Sequence, residues 1–125
     1  MSYNIDTWKT KKLENLFIPI KALYDGVNEN WKPDQPKILN AETMEVEIYG
    51  GCGQTIKGIL KDGMLSVTKI NMGGEGSGRY MYEIINPALK QSTGELEAVC
   101  VWEGGDSITR LTVKDGEVNE EGIDL

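Results

Sequence analysis

Two Asp-Gly pairs, Asp62-Gly63 and Asp115-Gly116, each stand between segments of alternating polar and apolar residues, and they constrain the chain more than any other feature. Such a pair supplies the two successive positive φ angles that a two-residue hairpin turn requires. The first turn sets a register between residues 55–61 and 64–70. Leu60 faces Leu65, Gly58 faces Val67 and Ile56 faces Lys69 on one side; Lys61 faces Met64, Ile59 faces Ser66 and Lys57 faces Thr68 on the other. The second turn sets Val113 opposite Val118, and the Gly104-Gly105 turn before it sets Ala98 opposite Leu111. In each hairpin one side is largely apolar, as in an antiparallel sheet with one face in a core.

Around these hairpins the remaining segments are less sharply specified. Met44, Val46 and Ile48 alternate with polar neighbours as a half-buried strand that Gly50, Gly51 and Gly53 end. Residues 80–85 read as a strand, and Asn86-Pro87 then reads as an N-cap with proline at the first helical position, which predicts a short helix near 87–92. Met81, Ile84, Ile85, Ala88 and Leu89 also fit helical spacing over 79–92, but Pro87 inside that span speaks for strand then helix. At the amino terminus Trp8, Leu13, Leu16 and Phe17 follow Asp6 and Thr7 at near-helical spacing, so a helix ending at Pro19 is expected. Residues 18–24 fit a helical turn or a strand equally, and Val27 to Lys37, with Trp31, reads as a surface loop anchored by its indole. The expected fold is α+β: a single globular domain over 1–125, with a mostly antiparallel sheet of about five to seven strands. An N-terminal helix and a short second helix pack on it, with helix and surface loop in 1–40 and the hairpins in 43–125.

Composition narrows the chemistry. A chain of 125 residues with 39% hydrophobic and 26% charged residues is of ordinary one-domain size and globular composition. The opening residues carry no signal-type apolar run, and no stretch approaches the ~18 apolar residues of a membrane span, so a cytoplasmic protein without membrane attachment is expected. Cys52 and Cys100 then read as two reduced thiols, with a disulfide between them as the alternative. Cys52, on a loop between Gly51 and Gly53, is the more plausible reactive thiol, with no histidine to activate it, and Cys100 alternates with Ala98 and Trp102 on the core side as a buried inert thiol. There is no histidine, which removes His-based triads, Cys-His pairs and His metal ligands from this chain. No catalytic constellation, metal site or cofactor is expected from what remains, and an enzyme is the less favoured class.

The net charge of −7 has one source. Residues 91–125 hold Arg110 and Lys114 against Glu95, Glu97, Glu103, Asp106, Asp115, Glu117, Glu120, Glu121 and Asp124. Such a field repels nucleic acid and anionic lipid and suits a basic protein partner. The expected function is therefore a small acidic interaction or inhibitor-type protein, binding through Trp102, Glu103, Asp106, Glu117, Glu120 and Glu121. In physical character alone this is how bacterial immunity proteins and small phage inhibitors work; no motif matches a family. The bland alternative is a solvated acidic face that keeps the chain soluble.

The other class of reading starts from Gly73, Gly74, Glu75, Gly76, Ser77, Gly78, Arg79 and Tyr80. Gly73 and Gly78 have the separation of a phosphate-binding loop, but Arg79 and Tyr80 replace its Lys and Ser/Thr, and Glu75 adds a negative charge inside the cradle. With strands expected on both sides, a mobile connection is the simpler reading. A small-molecule site or unconventional enzyme under this segment, with Arg79, Tyr80, Tyr82 and Glu83 lining it, is the alternative function.

Overall fold

The computed structural model describes residues 4–25, 33–50, 53–74, 77–104 and 107–123. Eight strands form one antiparallel sheet: β1 (Ile5–Pro19), β2 (Lys37–Asn40), β3 (Glu45–Tyr49), β4 (Thr55–Lys61), β5 (Met64–Asn71), β6 (Thr93–Trp102), β7 (Ile108–Lys114) and β8 (Glu117–Ile123). Their spatial order is β2-β3-β4-β5-β1-β6-β7-β8, so the first strand lies in the middle and β2 and β8 are the edges. One 13-residue helix, α1, spans 77–89 and packs on a single face. The sheet-rich α+β class holds, with eight strands instead of five to seven and one helix instead of two. No helix among the described residues is long and apolar enough to cross a membrane.

The expected N-terminal helix is strand β1, and its bulges explain the misleading spacing. Ile5, Trp8, Thr10, Leu13, Leu16 and Ile18 recur at intervals of three and two. The three intervals of three coincide with the register shifts against β6, between Ile5 and Thr7, Thr10 and Lys12, and Glu14 and Phe17. Each bulge adds a residue to one strand, so positions three apart return to the same side of the sheet. In one dimension that pattern looks helical. At the last bulge Asn15 takes φ 49°, and after it β1 pairs with β5, placing Phe17 opposite Ser66 and Ile18 opposite Leu65. A 3-10 turn, Ile20–Leu23, follows Pro19 and resolves the segment left open between helix and strand.

The same device modifies the first hairpin. Asp62 and Gly63 have φ 52° and 76°, as the turn requires, and Leu60↔Leu65, Gly58↔Val67, Lys61↔Met64 and Ile59↔Ser66 pair as expected. Beyond them a register shift pairs Lys57 with Lys69 and Ile56 with Ile70. Thr68 and Lys69 are both exposed, and buried Ile70 rejoins Val67 on the core side, an exchange of Lys69 for Ile70 that burial of apolar surface favours. The second turn, with Asp115 and Gly116 at φ 46° and 84°, gives Val113↔Val118, and Ala98↔Leu111 is also found.

Helix α1 replaces the strand expected over residues 80–85 and the short helix near 87–92. Met81, Ile84, Ile85, Ala88 and Leu89 are all buried, so helical spacing was the informative pattern. Proline lacks an amide hydrogen, and its ring collides with the carbonyl four residues back in a regular α-helix. Here residues Met81–Ile85 form a wider π-turn, in which Asn86 N–H bonds to the Met81 carbonyl, and Pro87 follows within the same helix. Tyr80 lies at the centre of the core with its ring against Gly50, where even a Cβ would stand 2.6 Å from the ring. Leu16, Ile18, Leu23, Ile48, Ile56, Leu65, Ile84 and Leu89 complete that side of the sheet, and its other face has no helix on it among the described residues.

Candidate functional site

Strand alternation divides the acidic residues of the second half between two faces. Val118, Glu120 and Gly122 share the helix side of β8, because Val118 faces Val113 and Glu120 faces buried Leu111. Glu117 and Glu121 point to the open face, opposite Lys114 and Arg110. On that face Glu95 is the neutralised carboxylate, with Lys12 Nζ at 2.6 Å and Lys114 Nζ at 3.9 Å. The Lys12 partnership holds the Glu95 carboxyl below the usual range. Among the described residues no basic side chain lies within ion-pair distance of Glu117, Glu120 or Glu121.

Glu120 is the one of these three that is held in place. Asn86 Nδ2 donates to its Oε1 at 2.8 Å, and the Tyr82 hydroxyl approaches Oε2 at 3.4 Å. Tyr82 and Asn86 stand one helical turn apart on α1, so the helix brings both to the same carboxylate. Tyr82 also lies parallel to Trp102, with ring centroids 6.2 Å apart and planes inclined by 3°. Trp102 is at the end of β6, half-buried, and its Nε1 donates to Thr109 Oγ1 at 2.9 Å. Burial, then the Glu120 charge, pushes the Tyr82 phenol up; the Cys100 thiol, buried behind it, is raised to about 12 by the same two causes. Cys100 is therefore a protonated core thiol, not a nucleophile.

Of the expected binding residues, Trp102 and Glu120 meet in this cluster, and Glu117 and Glu121 lie across the strand from it. Glu103 follows Trp102 directly, with its amide bonded to the Asn4 carbonyl at 2.8 Å. Asp106 lies outside the described residues, as do Cys52, Trp31 and Gly105. Sequence reasoning did not join Tyr82 and Asn86 to Glu120, since the strand reading of residues 80–85 separated them. Their four-residue spacing was the available signal once a helix was admitted.

The glycine segment leads from β5 into α1, not into another strand. Glu75 and Gly76 lie outside the described residues. Its described parts are fastened: Gly73 N–H bonds to Asn71 Oδ1 at 3.0 Å, and Gly74 N–H to the Ile5 carbonyl at 2.9 Å. Ile5 N–H donates to Ser77 Oγ at 2.5 Å, so this buried hydroxyl is committed to the start of β1. On the helix Arg79, Tyr80, Tyr82 and Glu83 make separate contacts. Tyr80 is buried, Tyr82 faces Trp102, and Arg79 Nε meets Glu83 Oε2 at 2.8 Å on the exposed side. A shallow depression of about 460 Å³ beside Gly74 is lined by Asn4, Ile5, Asp6 and Glu103. No family model, curated protein or solved structure matches the chain.

Proposed function

We propose that this protein is an interaction module of inhibitor type that binds a basic protein partner through its acidic C-terminal hairpins. The observation that supports this reading is the edge strand β8: it bears Glu117, Glu120 and Glu121, none of which has a counter-ion among the described residues. An edge strand leaves one row of backbone donors and acceptors without a strand partner, and charge on that edge decides what can approach it. Negative charge on both faces repels a second copy of β8 and attracts a cationic segment, which raises the association rate and selects the partner. Trp102 and Tyr82 beside Glu120 add aromatic surface of the kind that supplies most binding energy at protein interfaces.

The experiment is capture from the native host with the protein as bait at low and high salt, beside a bait carrying Glu117→Lys, Glu120→Lys and Glu121→Lys. Recovery of one basic protein that is lost in both high salt and the reversed bait supports the function. Capture insensitive to salt and to reversal removes it.

The depression beside Gly74 favours a second reading, a site for a small cationic molecule between Asp6 and Glu103. A ligand for it should raise Tm in the parent protein and not in Asp6→Asn. A library of small cations that leaves Tm unmoved, or moves it equally in both, counts against this reading.

A further inference from the structure

The partner's chemistry can be narrowed at the point where α1 crosses β6 and β8. Tyr82 is 50% exposed although Trp102 lies along one side of it, so aromatic surface stays open to solvent. Glu120 stands at the phenol tip of that ring, exposed, with one donor on each carboxylate oxygen among the described residues. A carboxylate offers about four acceptor positions, so both oxygens keep capacity for further donors. No cation of this chain fills the place among the described residues. Arg79 is engaged with Glu83, and Arg110 lies opposite Glu121 on the other face of the sheet.

We infer that the Tyr82–Trp102 step with Glu120 is a seat for one arginine side chain of the partner. This rests on the acidic-hairpin reading above and deepens it. A guanidinium is planar and weakly hydrated, so it stacks on an aromatic ring and still directs two N–H groups at a carboxylate in its own plane. An ammonium is a compact, strongly hydrated point charge that loses hydration on the ring and gives no parallel pair of bonds. The fixed parts favour the planar cation: Glu120 is oriented by Asn86, and Trp102 is held by Thr109, so little side-chain freedom is lost on binding. The carboxylate supplies charge, and the ring supplies shape.

The test uses the whole chain and a monocationic probe, acetyl-Gly-Arg-Gly-amide, with the lysine peptide as comparison. Binding is followed by NMR at the Trp102 indole N–H and the Tyr82 ring protons. Saturable shifts are expected with the arginine peptide, at least fivefold weaker binding of the lysine peptide, and at least fivefold losses in Glu120→Gln and in Tyr82→Leu. Glu42→Gln, exposed in the turn between β2 and β3, should stay within twofold of the parent. Tyr82 is half exposed, so Tyr82→Leu should keep the fold, and the amide spectrum verifies it. Unsaturating shifts, equal affinity for both peptides, or indifference to Tyr82→Leu in a folded variant would overturn the inference. If these occur while partner capture still responds to Glu117 and Glu121 reversal, only the arginine seat falls. If the arginine peptide seats while capture ignores salt and reversal, the seat stands and the acidic-hairpin reading falls.

Discussion

Replacing Gly94 with alanine, at the third bulge of β1, should destabilise this protein by about 3–4 kcal/mol. Gly94 has φ +90°, and an added Cβ would stand 1.9 Å from the Asn15 carbonyl oxygen, 2.4 Å from its carbon and 2.7 Å from the Glu14 oxygen. All three are backbone atoms in the middle strand of the sheet, so no side chain can turn away. The positive φ alone costs an alanine roughly 1 kcal/mol. Relieving the contact means parting β1 from β6 between the Glu14↔Glu95 and Phe17↔Thr93 pairs, and with it the bond from Gly94 N–H to Asp115 Oδ1 at 2.9 Å. Two or three hydrogen bonds at about 1 kcal/mol each supply the rest. Gly63→Ala is the internal control: its φ is +76° and nothing lies within 4 Å of the added carbon, so only the backbone term of about 1 kcal/mol applies. Urea unfolding followed by tryptophan fluorescence gives both values at constant slope. Equal losses in the two variants would refute the close crossing at Gly94, and with it the bulged course of β1.

Other consequences can be checked on the same material. Ile84, 2% exposed on the inner side of α1, should cost about 2–5 kcal/mol as Ile84→Ala in the same urea experiment, whereas residue 84 on a strand with an open face would cost far less. Burial raises the Tyr24 phenol to about 12 from 10.0, with Asp34 adding to it, and raises the Cys100 thiol to about 12 from 9.0. The unfolded chain then releases protons that the folded chain retains. Stability should fall as pH rises from about 9 towards 12, and an unfolding midpoint that is flat over that window would contradict the burial of both groups.

The legible parts of the fold were those whose pattern is strictly local. Asp62-Gly63 and Asp115-Gly116 state their turn type in two residues, and the adjoining pairs follow by counting outwards. Counting fails at the first bulge. Nothing local announces that Thr68 will be displaced so that Ile70 can join Val67, or that Ile5, Trp8, Leu13 and Leu16 share a strand face at intervals that imitate a helix. Those choices are made by neighbouring strands that are distant in sequence, β6 for β1 and β4 for β5. Pro87 misled in the opposite sense, since one π-turn admits it to a helix whose apolar spacing was plain.

The candidate site was legible as charge and not as geometry. The nine acids of the last 35 residues are visible in the composition, and the alternation that puts Glu120 with Val118 while Glu117 and Glu121 face away follows from the Asp115-Gly116 turn. The contribution of α1 was hidden, because Tyr82 and Asn86 reach Glu120 from 38 and 34 positions away.

Recognition by the acidic edge is tested by the affinity of the captured basic partner at about 50 and about 200 mM salt, for the parent chain and for the chain reversed at Glu117, Glu120 and Glu121. If the acidic edge carries recognition, the dissociation constant should rise at least tenfold between the two salts for the parent and at least tenfold on reversal at low salt, with little salt dependence left in the reversed chain. Parent and reversed chains that bind alike at both salts would contradict it.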